Sequence, residues 1–110
     1  MAEPMIEEFS PADFLLRQQG GELWQLLDVR EPWEINIASI SGTIRIPMAL
    51  LPERICELDA RTATAVLCHS GVRSLRAAAY LADRGFGHVA NINGGIDLWS
   101  QTVDPTIARY

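Results

Sequence analysis

Three short apolar runs, Leu23 to Val29, Ala63 to Leu67 and His88 to Ile92, lie along the chain with helix-patterned segments between them. Each is too short for a full helix, and Gly21 and Glu31-Pro32 bound the first, so each is expected to be a buried strand. Strands alternating with helices at this spacing are joined by right-handed crossovers. The expected fold class is therefore α/β, a central, mostly parallel sheet flanked by helices on both faces.

Local signals place the other elements. Ser10 as N-cap, Pro11 at the first helical position and Asp13 in the first turn predict a helix to about Gln19, stopped by Gly20-Gly21. Pro32 opens a short helix over 31–38, and 43–46 reads as a short strand closed by Pro47. Leu50, Leu51, Ile55 and Leu58 recur on one helical face and predict a helix from Met48 to Leu58. A helix from Ser74 to Asp83 stops at Gly85, and Gly94-Gly95 turns into a last helix through Trp99.

With 110 residues and 48% apolar content, one domain can bury a real core; residues 1–110 are read as that domain, with the core over about 10–100 and short tails. The net charge of −5, without any cluster of Lys or Arg, argues against nucleic acid and membrane as partners. A small anionic substrate stays compatible, because a local positive pocket coexists with an acidic surface. No apolar run reaches membrane length and the first residues lack a basic n-region, so the expected location is cytoplasmic. There Cys56 and Cys68 are expected to stay reduced.

In open parallel sheets, ligands bind at the carboxyl ends of the strands. Two polar clusters fall there: Asp28-Val29-Arg30, and Cys68-His69-Ser70-Gly71-Val72-Arg73-Ser74. The second is a strand–loop–helix turn whose free N–H groups and helix dipole converge on a cysteine, favouring its anion. Gly71 supplies the unusual backbone angles by which successive N–H groups form an anion-binding nest. Cys68 is the candidate nucleophile.

This loop, preceded by Leu27-Asp28-Val29-Arg30-Glu31-Pro32-Trp33-Glu34 and followed by Asn93-Gly94-Gly95-Ile96-Asp97-Leu98-Trp99, resembles the single-domain rhodanese family of sulfurtransferases. The three motifs stand in the family's order from about Ser10 to Trp99. The resemblance implies a rhodanese-like domain in which Cys68 takes a sulfane sulfur from a donor such as thiosulfate. It becomes a persulfide and passes the sulfur to cyanide or a thiol, in two displacement steps. The N–H groups of His69 to Ser74 would hold the terminal sulfur, and the family needs no metal or organic cofactor. A sulfur-carrying protein is a further partner it allows. Where family members often read Gly-His-Ile-Pro-Gly-Ala, this chain has Ala38-Ser39-Ile40-Ser41-Gly42-Thr43, and His69 rather than a basic residue follows Cys68, leaving donors other than thiosulfate open.

Each residue also has a plainer reading. Arg73 either contacts substrate or braces the loop on a carboxylate, with Asp28 the nearest by topology. Arg30 and Glu31 form a rim ion pair or steer substrate. His69 is expected to be exposed, tuning the thiolate or simply solvated, and Ser70 and Ser74 bond the persulfide or cap the helix. Cys56 is expected to pack beside Ile55 and Leu58 rather than to serve as a resolving thiol. Trp33, Trp99 and Phe86 read as packing, and Arg76 and Arg84 as a solvated face. The alternative to an enzyme is a non-catalytic sulfur-relay or protein-interaction module of the same fold. A phosphatase is disfavoured, because related phosphatases carry one more residue in the loop, against four between Cys68 and Arg73 here.

Overall fold

The computed structural model describes residues 6–110. Its strands are β1 (Glu7–Phe9), β2 (Gln25–Asp28), β3 (Ile44–Arg45), β4 (Thr64–Leu67) and β5 (Val89–Ile92). Its α-helices are α1 (Pro11–Gln19), α2 (Pro32–Ile37), α3 (Leu51–Arg54), α4 (Val72–Asp83) and α5 (Gly95–Thr102). The strands form one parallel sheet in the order β1-β5-β4-β2-β3. Helices cover both faces, as the α/β pattern requires. No helix among the described residues is long and apolar enough to cross a membrane.

The pleat divides the core. On one face Leu27, Val66 and Cys68 pack with Leu51 of α3 and Ala77, Ala78 and Leu81 of α4. On the other, Leu26, Ala65, Leu67 and Ile92 pack with Phe14 of α1 and Ile96 and Trp99 of α5. Successive side chains of β4 thus point to opposite faces, and all four residues are buried because helices lie on both sides. Phe86 and Trp99 are core residues, whereas Trp33 is exposed on α2.

Three elements differ from the sequence expectations. The segment from Met48 to Leu58 is not one helix: a 3-10 turn over Met48–Leu50, the short α3 and a second 3-10 turn over Ile55–Glu57 share it. Pro52 lacks the N–H that would carry a helix across the middle, so the apolar face is kept while the ladder is broken. Helix α4 begins at Val72, two residues before Ser74, because Gly71 at φ 100° turns the chain straight into it. Strand β1, which the pattern does not announce, pairs Glu7, Glu8 and Phe9 with Ala90, Asn91 and Ile92. Three residues, two of them charged, carry too little alternation to read.

The opening of α1 follows its caps: Ser10 Oγ accepts from Asp13 N at 3.1 Å, with Pro11 at the first helical position.

Candidate active site at the Cys68 loop

Strand β4 ends at Leu67 and delivers Cys68, 1% exposed, to the base of α4. Its Sγ accepts from the N–H of Gly71 at 3.1 Å and of Ser74 at 3.3 Å, and lies 3.2 Å from Ser74 Oγ. The first-turn N–H groups of a helix have no partner within it, and the sulfur takes the place that an N-cap oxygen usually holds. Of the predicted loop residues, Gly71 and Ser74 reach the sulfur directly, while Ser70 and Val72 are exposed beside it. Among the described residues, no acceptor engages the N–H groups of Ser70, Val72 or Arg73.

The start of α5 seals this loop from behind. Ile96 N donates to Cys68 O at 2.9 Å and Asp97 N to His69 O at 3.1 Å. Gly95 sits so close that a Cβ there would lie 2.4 Å from Cys68 O. The Gly94-Gly95 turn passes against the loop, as expected, and only glycine fits.

Arg73 braces the loop, but on Glu34 rather than Asp28. Arg73 Nη1 and Nη2 donate to the two carboxylate oxygens of Glu34, each at 2.7 Å. Glu34 also accepts from Glu31 N at 2.7 Å and Tyr110 Oη at 3.1 Å, so a nearly buried carboxylate has four donors. The Arg73 hydrogen bonds hold the Glu34 carboxyl down at about 2, against the opposing effect of burial. Arg73's own ionisation is pushed up by the same partner.

Asp28 is unavailable to Arg73 because Arg30, two residues away, consumes it. Arg30 Nε and Nη2 donate to Asp28 Oδ1 at 3.0 Å and Oδ2 at 2.7 Å, and both side chains are fully buried. Arg30 is therefore neither a rim partner of Glu31 nor placed to steer substrate. Its Nη1 donates to Tyr110 Oη at 3.1 Å and Glu34 O at 3.3 Å, which links the Asp28–Arg30 pair to the Arg73 brace.

Two further expectations are corrected. His69 is partly buried, stacked on the Tyr110 ring at 4.3 Å, with its Nε2 shielded from solvent. Cys56 is exposed rather than packed, because the helix that would have turned it inward is replaced by a 3-10 turn. Both cysteines are free thiols. Sequence reasoning missed Glu34, Tyr110 and Asn91 as parts of the site. Glu34 stood within the quoted motif, three residues from a helix start, while Tyr110 and Asn91 carry no local signal.

Among the described residues, no group of three or more His, Cys, Asp or Glu side chains is arranged to hold a metal ion. What the arrangement offers is a buried sulfur over a helix N-terminus, with unused N–H donors around it and an arginine fixed nearby. Backbone N–H groups grouped at a helix N-terminus favour an anion there.

Comparison with known proteins shows the family. Residues 10–102 match the rhodanese-like domain family. The chain is 35% identical over 104 residues to a sulfurtransferase of Allochromatium vinosum, covering 94% of this chain and 97% of that protein. It is 39% identical to an adenylyltransferase and sulfurtransferase of Zea mays over 82% of this chain, but spans only 20% of the maize protein. A rhodanese-related protein from Thermoplasma volcanium superimposes with a TM-score of 0.80 at 31% identity, covering 94% of this chain and 99% of that one. The chain belongs to the rhodanese-like sulfurtransferase family.

Proposed function

We propose that Cys68 carries sulfur as a persulfide, taking it from thiosulfate and giving it to cyanide or a thiol. The observation that carries this reading is the seat of Sγ on two backbone N–H groups, with the N–H groups of Ser70, Val72 and Arg73 unused beside it. In the first step the thiolate attacks the sulfane sulfur; an S–S bond to Cys68 forms, the donor's S–S bond breaks, and sulfite leaves with the electron pair. The terminal sulfur then bears the charge that the free N–H groups are placed to stabilise. In the second step the thiophile attacks that sulfur and Cys68 leaves as thiolate. His69 to Ser74 form the binding loop in this reading, with Asp28 and Arg30 as buried support through Tyr110 and Glu34. No metal or organic cofactor takes part, and the reaction belongs in a reducing, cytoplasmic setting that keeps Cys56 and Cys68 as thiols.

A second reading, relay of sulfur to a protein, is favoured by apolar side chains left in solvent beside the loop. Val72 is 63% exposed and Leu75 40% exposed on the first turn of α4, and Trp33 is exposed on α2. The maize relative is, by its name, both an adenylyltransferase and a sulfurtransferase, so a region similar to this chain occurs within a larger protein of two activities.

Intact-protein mass spectrometry of the reduced chain after brief exposure to thiosulfate, beside Cys68→Ser, tests the proposal. A gain of one sulfur atom in the wild type alone supports it. No gain from thiosulfate, but a gain from a persulfidated protein, replaces the enzyme with the relay. No gain from either overturns both.

A further inference from the structure

The sequence of β5, Val89-Ala90-Asn91-Ile92, reads as a wholly buried strand, and all four residues are buried. Asn91 is nevertheless an amide, 2% exposed, in register with Glu8 of β1 and Val66 of β4, on the sheet face that carries Cys68. A buried amide in an apolar position is costly unless every arm is bonded. Here every arm is.

Asn91 Nδ2 donates to Gly71 O at 3.1 Å and to Glu8 Oε1 at 3.2 Å, while Ser74 Oγ donates to Asn91 Oδ1 at 2.5 Å. The Gly71 carbonyl has no hydrogen to give, so the amide nitrogen must face it and the amide oxygen must face Ser74. With its single hydrogen committed to Asn91, Ser74 turns lone pairs toward the sulfur. It therefore accepts from the Cys68 thiol at 3.2 Å. The chain runs one way: Cys68 to Ser74 to Asn91.

We propose that Asn91 is a positioning residue that acts through Ser74, holding the serine hydroxyl away from the sulfur while Cys68 is a thiol and yielding it once Cys68 is a thiolate. The proposal deepens the persulfide reading and rests on it. On ionisation the thiol proton passes to a base in solvent, and no bond between heavy atoms forms or breaks. Rotation about the Ser74 Cβ–Oγ bond then aims the hydroxyl at Sγ, giving the anion a third donor beside Gly71 N and Ser74 N. Asn91 Oδ1 loses its donor in that state, so the amide weights the resting site toward the thiol. The titratable and charged groups around this chain are Arg73, held by Glu34; Glu8, on Asn91 itself; His69, with Asp97 beyond it; and the closed Asp28–Arg30 pair. None of them contacts Ser74 Oγ.

The test follows the thiolate's ultraviolet absorbance against pH in a Cys56→Ser background, subtracting the same chain carrying Cys68→Ser. Asn91→Leu removes the competing acceptor and is expected to move the midpoint down by about one pH unit, the worth of one hydrogen bond to a charged group. Asn91→Asp keeps an acceptor and adds negative charge, and is expected to move it up. Both variants lose the donor arms to Gly71 and Glu8, so opposite shifts exclude those losses as the common cause. In a Ser74→Ala background, Asn91→Leu is expected to have no such effect. Shifts of the same sign, no shift, or a Leu effect that survives Ser74→Ala would overturn the proposal. If the Asp variant does not fold, the Leu and Ala pair decides alone. Sulfur loading, read separately by mass, reports on the persulfide reading, so either can fail without the other.

Discussion

Arg73 and Glu34, 39 positions apart in sequence, meet in a two-pronged ion pair with both prongs at 2.7 Å. The pair ties the first turn of α4 to the first turn of α2 and so fixes the Cys68 loop against the neighbouring strand end. Arg73 is about a third exposed and Glu34 almost fully buried, so removing the arginine leaves a carboxylate with little water to replace it. Arg73→Ala is expected to lower stability by about 2 kcal/mol, discounted from a fully buried pair for solvent at the arginine. A fall of roughly 10 °C in Tm by calorimetry is the corresponding readout. Loss of sulfur uptake without loss of Tm would instead place Arg73 on the substrate.

The same pair sets an acid dependence. The Glu34 carboxyl is held at about 2 when folded, chiefly by Arg73, against 4.5 for an ordinary glutamate. A folded value below the unfolded one means the contribution is complete above about pH 4.5 and drains away as the pH falls toward 2. Glu7, Glu57, Asp59 and Asp97 are shifted in the same direction, so the whole protein weakens in acid. Urea midpoints at neutral pH and near pH 3 are expected to differ less for Glu34→Gln than for the wild type. Equal differences would remove Glu34 from the account.

Gly95 offers a steric test. An added Cβ would lie 2.4 Å from Cys68 O and 2.5 Å from His69 O, at φ 57°. Gly95→Ala is expected to cost about 3 kcal/mol or more and to reduce sulfur uptake with it. Gly42, at φ 78° with nothing within 4 Å of a new Cβ, makes the control: Gly42→Ala is expected to cost only about 1 kcal/mol and to spare uptake. Similar losses in the two variants would mean that strain, not crowding of the loop, is the cause.

The two cysteines are expected to separate cleanly. Cys68→Ser keeps a small polar atom over the Gly71 and Ser74 N–H groups, so the far-ultraviolet spectrum is expected to be unchanged while sulfur uptake is lost. Cys56 is exposed on a 3-10 turn and contributes nothing to the nest. Cys56→Ser is expected to leave uptake at the wild-type level, and a loss would make it a second sulfur-handling thiol.

What could be read in the chain was whatever a few neighbouring residues decide. Ser10-Pro11 starts α1, Pro32 starts α2, and the Cys68 to Ser74 run folds as a loop into a helix because its own N–H groups and Gly71 require it. Pairings between distant segments were not so readable. Asp28 lay near Arg73 by topology, yet Arg30 stands two residues away and satisfies it first. Glu34 became the brace because the turn of α2 lifts it toward α4, a matter of three dimensions. Tyr110 has no periodic context, and only the folded chain lays it on His69. The break at Pro52 was visible in the residues, but the apolar spacing on either side hid it.

The closure of α5 on the loop has a consequence for the order in which the site comes into being. A ribosome releases Cys68 well before Ile96 and Asp97, whose N–H groups cap the carbonyls of Cys68 and His69. Asn91, which holds both Gly71 and Ser74, also emerges after the cysteine. A growing chain thus exposes the thiol before it owns the partners that fix the loop around it. The loop gains its last backbone partners only with α5, so the sulfur transfer proposed for Cys68 would wait on the docking of that helix.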